Sequence, residues 1–159
     1  MRVGFGFDVH RFAENRKLIL GGIQIPYEKG LEGHSDADCL IHAIIDALLG
    51  AAALGDIGSH FPDSSEEFKG IDSTLLLRKT RELLLSQQYI IGNIDATIVA
   101  QEPKMKPYID KMRQRLADIM SILPGQISIK ATTTERLGFE GRKEGISCYA
   151  VALIREAND

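Results

Sequence analysis

Asp8-Val9-His10 ends a short apolar run near the start of the chain, and His42 lies on the next strongly helical stretch. In an extended strand, residues two apart point to the same face. A carboxylate and an imidazole then stand side by side, and one imidazole from elsewhere completes a three-ligand metal site. Three protein ligands leave the fourth tetrahedral position open, the arrangement of a catalytic rather than a structural zinc. Oxygen and nitrogen donors together admit zinc without excluding manganese or iron. Asp38 and Asp46 sit one helical turn either side of His42 and are expected to orient its ring. By spacing alone, a metal site and a hydrogen-bonded core histidine fit equally well.

Three further segments carry groups suited to anions. His34-Ser35-Asp36 precedes the helix, where free backbone N–H groups, a hydroxyl and an imidazole form a corner for phosphate. Plain capping by Ser35 or Asp36 is the simpler local reading. Lys130-Ala131-Thr132-Thr133-Thr134-Glu135 ends a strand in three hydroxyls and a carboxylate, followed by Gly138-Phe139 and Gly141-Arg142. Threonine is an ordinary strand residue. Here, however, the hydroxyls can hold phosphate oxygens, Glu135 a hard divalent cation bridging them, and Arg142 supplies a planar anion-binding fork. Gln101-Glu102-Pro103-Lys104-Met105-Lys106-Pro107 reads alone as a charged loop before a helix; beside a phosphate site, Lys104 and Lys106 become ligand contacts.

The elements that must position these groups follow from periodicity and punctuation. Residues 2–9 and 18–25 read as strands joined by the polar loop 11–17, with Gly21-Gly22 as a bulge or turn. Asp36 to Leu54, rich in Ala and Leu and free of proline, predicts a helix capped by Ser35 or Asp36. Gly55-Asp56-Ile57-Gly58 stops it and opens a long loop to Gly70, of a length more often functional than idle. Asp72 or Ser73 caps a second helix to about Gln87, whose amphipathic face is marked by Leu75, Leu76, Lys79 and Leu83. A strand over 89–100, a helix from Pro107 to before Pro124, and strands over 126–133 and 146–155 complete a ββααβαββ order. That order predicts an α+β fold, a single mixed sheet with helices packed on one face. The last strand is apolar on both faces, which predicts burial of its second face in a homo-oligomer.

The bulk numbers bound the rest. At 159 residues, with 44% hydrophobic and 26% charged residues, residues 1–159 read as one domain. A net charge of −3 argues against a general nucleic-acid binder, and no Lys/Arg run exceeds two residues. Cys39 and Cys148 suggest reduced core thiols rather than a disulfide framework. The start of the chain lacks the long apolar stretch of a signal peptide and no apolar run is long enough to span a bilayer, which points to the cytosol or to the mature form of an organellar (plastid) enzyme.

Asp8-Val9-His10, His34-Ser35-Asp36-Ala37-Asp38, His42, Leu54-Gly55-Asp56-Ile57-Gly58, Phe61-Pro62-Asp63 and Lys130 through Gly145 together resemble the 2-C-methyl-D-erythritol 2,4-cyclodiphosphate synthases of the non-mevalonate isoprenoid pathway. The match runs in order and spacing across nearly the whole chain. The resemblance implies a homotrimeric phosphorus–oxygen lyase with active sites between subunits. It implies that Asp8, His10 and His42 hold zinc and that Glu135 holds magnesium or manganese. His34 and Thr133 would stabilise the transition state. Ser35, Phe61 and Asp63 would line the methylerythritol pocket, with Asp56 and Gly58 at the ribose, and Val9, Ile57, Pro62, Ser64 and Ser65 would bind substrate beside them. Ala100 through Lys106, with Ala131, Thr132 and Thr133, would enclose the cytosine, and Thr134, Phe139 and Arg142 match further binding positions. Tyr149 would face a trimer axis where family members enclose an apolar cavity for isoprenoid diphosphates. Glu32-Gly33 and Cys39 depart from the pattern and are expected to touch no ligand.

Overall fold

The computed structural model describes residues 1–62 and 64–158. A five-stranded mixed sheet is built from β1 (Arg2–Ala13), β4 (Gly30–Leu31), β5 (Tyr89–Val99), β6 (Ile127–Thr132) and β7 (Gly145–Glu156), in the order β4-β1-β7-β5-β6. β7 runs antiparallel to both β1 and β5, while β5 and β6 are parallel and joined through α4 (Ile109–Met120). The segment expected as one strand over 18–25 is instead a separate hairpin, β2 (Leu18–Leu20) and β3 (Ile23–Ile25). Gly21 and Gly22 both have positive φ, which a tight two-residue hairpin turn requires.

Helices α1 (Cys39–Ala51), α3 (Ser73–Ser86) and α4 form a layer on one side of the sheet. α1 is buried along nearly its whole length and lies on β1 and β7, where Ile146, Cys148, Ala150, Ala152 and Ile154 face it. β1 meets it through Gly4 and Gly6. A methyl group on Gly4 would sit 2.0 Å from the Ala47 carbonyl oxygen, and one on Gly6 2.0 Å from that of Ala43. Strand backbone and helix backbone are therefore in direct contact. Cys39 and Cys148 are buried and unbridged.

Two helical details depart from expectation. α1 starts at Cys39, capped by neither Ser35 nor Asp36 but by Asp38, whose side chain accepts from Ile41 N. The same carboxylate accepts from Gly21 N (3.0 Å) and Gly22 N (2.7 Å), so it also anchors the hairpin turn. Complete burial, reinforced by the nearby Asp36 charge, pushes its pKa up to about 6 against the pull of those three donors. On α3 the buried stripe is Ser73, Leu76, Leu77, Thr80 and Leu84, leaving Leu75 exposed. Thr80 can enter the core because its hydroxyl bonds to the Leu76 carbonyl.

The other face of the sheet is apolar and uncovered: Val3, Phe5, Phe7, Val9, Tyr149 and Val151 are 39–67% exposed. Among the described residues no helix is long and apolar enough to cross a membrane.

The glycine contact makes a paired prediction. Gly6→Ala should destabilise the protein by about 3 kcal/mol, at the upper end for overpacking because the obstacle is backbone. Gly50→Ala, on an exposed part of α1 whose new methyl has only the Phe5 carbonyl oxygen at 3.9 Å, should stabilise by about 0.5–1 kcal/mol. Urea unfolding midpoints of the two variants measure both.

Candidate functional site

Asp8 and His10 share the helix-facing side of β1 with Gly4 and Gly6, and there they meet His42 in the first turn of α1. Asp8 Oδ2 lies 2.9 Å from His10 Nε2 and 3.1 Å from His42 Nδ1, and the two nitrogens are 3.3 Å apart. The opposite edges of the rings decide which atoms carry protons. His10 Nδ1 is 2.6 Å from the Glu32 carbonyl oxygen, which can only accept, so Nδ1–H donates and Nε2 offers a lone pair. His42 Nε2 is 2.9 Å from Ser73 Oγ, whose own hydroxyl donates to Asp36 Oδ1. The Ser73 oxygen therefore accepts from His42 Nε2–H, which leaves a lone pair on Nδ1. Two imidazole lone pairs and a carboxylate oxygen converge, a donor set that suits a divalent cation. No fourth His, Cys, Asp or Glu among the described residues joins the group.

The electrostatics agree. Burial alone would raise the Asp8 pKa, but the two imidazoles packed against it, His10 and His42, favour its charged form and hold it well below the usual carboxylate range. Burial would lower His10, and the hydrogen bond and charge of Asp8 outweigh it, so that its pKa is raised. Positive charge is favoured at the centre of the cluster, and a proton competes with a metal ion for the same lone pair.

The triad forms one wall of a pocket of about 200 Å³, lined also by His34, Ser35, Ile57, Gly58, Phe61 and Phe68. His34 Nε2 lies 3.3 Å from the Ser65 carbonyl oxygen. Asp56 caps the short helix α2 (Ile57–His60), accepting from the Ser59 N–H and hydroxyl. Those bonds hold its pKa below the ordinary value. Pro62 and Ser64 are exposed, and Asp63 lies outside the described residues. A larger cavity, about 330 Å³, opens at the far end of the sheet among Arg81, Tyr89 and Arg155 and contains none of the groups singled out above.

The second half of the expected site is elsewhere. Ala100, Gln101, Pro103, Lys104, Met105 and Lys106 line a separate cavity of about 220 Å³ with Ala131, Thr132 and Thr133. Glu102 pairs with Lys143 at 2.7 Å. Thr134 bonds to the Leu137 carbonyl, and Glu135 sits exposed in a left-handed turn held by Thr133 Oγ1. Phe139 is half-buried at the start of α5 (Gly138–Gly141), and Arg142 just beyond it pairs with Glu144 at 2.7 Å. Register aligns Val9 with Ser147, Ser147 with Val99, and Val99 with Thr132. Thr132, the last residue of β6, thus lies at the same end of the sheet as the triad but three strand spacings away, about 14 Å, and Thr133 and Glu135 follow it in the turn beyond.

Two expectations are corrected. Asp38 and Asp46 do not orient His42: Asp38 is committed to the hairpin and its own helix start, and Asp46 accepts from Ile57 N at 2.8 Å, fixing α2 to α1. Nor are Glu32 and Cys39 bystanders, since the Glu32 carbonyl orients His10 and the Cys39 thiol donates to the Asp8 carbonyl oxygen at 3.2 Å. Ser73 and Asp36, which do orient His42, escape the sequence reading because Ser73 lies 31 residues from His42 and resembles any residue at a helix start.

Competition with a proton makes the metal affinity pH-dependent. As the pH falls through the raised His10 pKa, affinity for Zn²⁺ should fall about tenfold per unit, one proton being displaced per ion bound. Ser73→Ala should weaken binding about 10–100-fold at fixed pH through loss of the imidazole's support. Titration calorimetry across pH 6–8 measures both effects.

The sequence profile described as the YgbB family matches residues 1–155. A protein of Alkaliphilus metalliredigens named 2-C-methyl-D-erythritol 2,4-cyclodiphosphate synthase is 58% identical over 157 residues, 99% of each chain. The chain superposes on the bifunctional IspDF of Campylobacter jejuni with a TM-score of 0.94 and 41% identity, covering 99% of this chain and spanning 43% of that one. Against IspF of Plasmodium falciparum, solved as a CDP complex, the TM-score is 0.85 at 35% identity, covering 98% of this chain and 96% of the other. On sequence and fold alike, the chain belongs to the YgbB family.

Proposed function

We propose that this chain is a 2-C-methyl-D-erythritol 2,4-cyclodiphosphate synthase of isoprenoid precursor biosynthesis. Its substrate is 4-diphosphocytidyl-2-C-methyl-D-erythritol 2-phosphate, and its products are the 2,4-cyclodiphosphate and CMP. The observation that carries the reading is the convergence of Asp8, His10 and His42 on one open coordination centre in the wall of a pocket. Family membership supports it, and so does the CDP-bound state of a structural relative.

The reaction forms one phosphorus–oxygen bond and breaks another. A 2-phosphate oxygen attacks the diphosphate phosphorus nearer the methylerythritol, and the bond from that phosphorus to the CMP oxygen breaks, its electron pair leaving with CMP. The nucleophile is a phosphate oxygen already ionised at neutral pH, and the leaving oxygen departs as part of a phosphate anion that is stable there, so no side chain needs to move a proton. What the protein supplies is alignment and charge neutralisation. In this reading Asp8, His10 and His42 hold Zn²⁺ and Glu135 holds Mg²⁺ or Mn²⁺, ions whose chemistry when bound is to neutralise phosphate oxygens as Lewis acids. His34 and Thr133 donate hydrogen bonds to oxygens that gain charge in the transition state. Ser35 and Phe61 border the methylerythritol, Asp56 and Gly58 receive the ribose, and the 100–106 and 131–133 walls enclose the cytosine.

Within one chain, Thr133 and Glu135 follow the end of β6, which lies three strands from the triad. A neighbouring copy can bring them there, and the exposed apolar face carrying Phe5, Phe7, Tyr149 and Val151 offers the surface for such packing. The assembly we infer is a homotrimer with active sites between subunits. Residues 1–159 form one synthase domain acting in the cytoplasm.

Two outcomes test this reading. Incubation with the cytidine-linked substrate should give a cyclic diphosphate and CMP by phosphorus NMR, with His34→Ala slowing turnover about 10²-fold at unchanged metal content. A linear phosphomonoester would identify a hydrolase instead. The wild type should sediment at three times the 17.5 kDa chain mass. Phe5→Glu should yield a monomer that keeps its metal, since the triad lies within one chain, yet has lost turnover.

A further inference from the structure

The loop between β1 and β2 carries Arg16, which belongs to none of the motifs above. Its guanidinium donates from Nη1 to the Gly33 carbonyl oxygen at 3.0 Å and from Nη2 to the Ser35 carbonyl oxygen at 2.8 Å. These two carbonyls bracket His34. The segment 33–36 between β4 and α1 is neither helix nor strand, so its backbone has no regular ladder to fix it. On one side it is held by the 68–71 loop, with Gly70 N donating to the His34 carbonyl (2.8 Å) and Asp36 N to that of Ile71 (3.1 Å). On the other side it is held by the fork of Arg16.

Arg16 is itself firmly placed. A methyl on Gly30 would fall 2.3 Å from the Lys17 carbonyl oxygen and 2.6 Å from the Arg16 carbonyl carbon, so the loop lies directly on the start of β4. Glu14 in the same loop pairs with Lys29 at 3.2 Å. Among the described residues no carboxylate forms an ion pair with Arg16. Both donors of its fork are instead committed to the backbone on either side of His34. A planar guanidinium can span two carbonyls at once; a lysine ammonium, a point charge on a flexible stem, cannot hold that geometry.

The geometry points to Arg16 as a positioning residue that fixes His34 and Ser35 for the cyclisation, a reading that rests on the function proposed above. It touches no substrate; it sets the backbone from which the His34 imidazole reaches the reacting phosphates. A misplacement of about 1 Å at such a group can cost up to about 10²-fold in rate.

The test is a double-mutant cycle with steady-state kinetics, metal analysis and melting curves. Arg16→Met, which keeps the apolar stem, should lower kcat about tenfold, more than it raises KM, with metal content unchanged. Arg16→Lys should recover part of that loss. In a His34→Ala background, Arg16→Met should cost less than about twofold, because the group it positions is gone. Equal losses in both backgrounds, or a lowered melting temperature with kcat intact, would overturn the proposal. If the wild type does not turn over the cytidine-linked substrate, the functional reading fails on its own and amide exchange decides the role of Arg16. Protection at residues 33–36 should then fall in both Arg16→Met and Arg16→Lys, and unchanged protection in a folded variant would refute the clamp.

Discussion

Everything at the site depends on how closely β1 lies against α1. Gly4 and Gly6 face Ala43, Ala47 and Ala51 with no side chain larger than a methyl between the two backbones. The period of the strand then continues the same face into Asp8 and His10, and the helix presents His42 one residue before Ala43. Small residues at one end of the contact bring the ligands at the other end within 3.3 Å of each other. Leucines in place of the glycines would hold the helix away from the strand, leaving the carboxylate and imidazoles too far apart to share an ion. The same alternation places Phe5, Phe7 and Val9 on the opposite face, so one stretch of strand builds both the candidate metal site and the exposed apolar surface.

The polarity of the triad is imposed from outside it. Glu32 supplies a carbonyl and Ser73 an oxygen whose own proton is given to Asp36, and each arrangement fixes a proton on the outer nitrogen of its histidine. The inner nitrogens therefore converge with Asp8 as acceptors. Asp38 is the contrasting case. It is more deeply buried than Asp8, but three backbone N–H donors satisfy it, and its role is to join the hairpin to the helix start. The two aspartates four residues either side of His42, Asp38 at the cap of α1 and Asp46 within it, thus hold structure together.

These assignments show what a sequence makes legible. The Asp8–His10 pair is readable because a period of two is local, and α1 because Ala and Leu without proline leave few alternatives. The split of 18–25 into a hairpin was foreshadowed by Gly21-Gly22. What stayed hidden depends on contacts distant in the chain. Ser73 and Asp36 act on His42 through a helix start 31 residues away, and Glu32 acts through its backbone, where residue type carries no signal. The helical face of α3 was misread by one position because Thr80 satisfies its hydroxyl within its own helix and so enters the core. Thr133 and Glu135 enter the site through the family pattern alone, since β6, which leads into them, ends three strands from the triad.

That separation has a chemical logic. Cyclisation joins two anionic phosphates, so the charges that neutralise them must approach from more than one side. One chain that enclosed the substrate completely would need a mobile cover to admit it. In the proposed assembly, dividing the site between the triad of one copy and Thr133 and Glu135 of another would avoid that need. Rigidity then has to come from within each chain: from β1 against α1 for the metal ligands, from Asp46 for the α2 turn, and from the paired carbonyl contacts of Arg16 for the otherwise irregular backbone around His34. A reaction that needs no proton moved by a side chain puts its whole demand on such fixed placement, and the irregular segment is where that demand is hardest to meet.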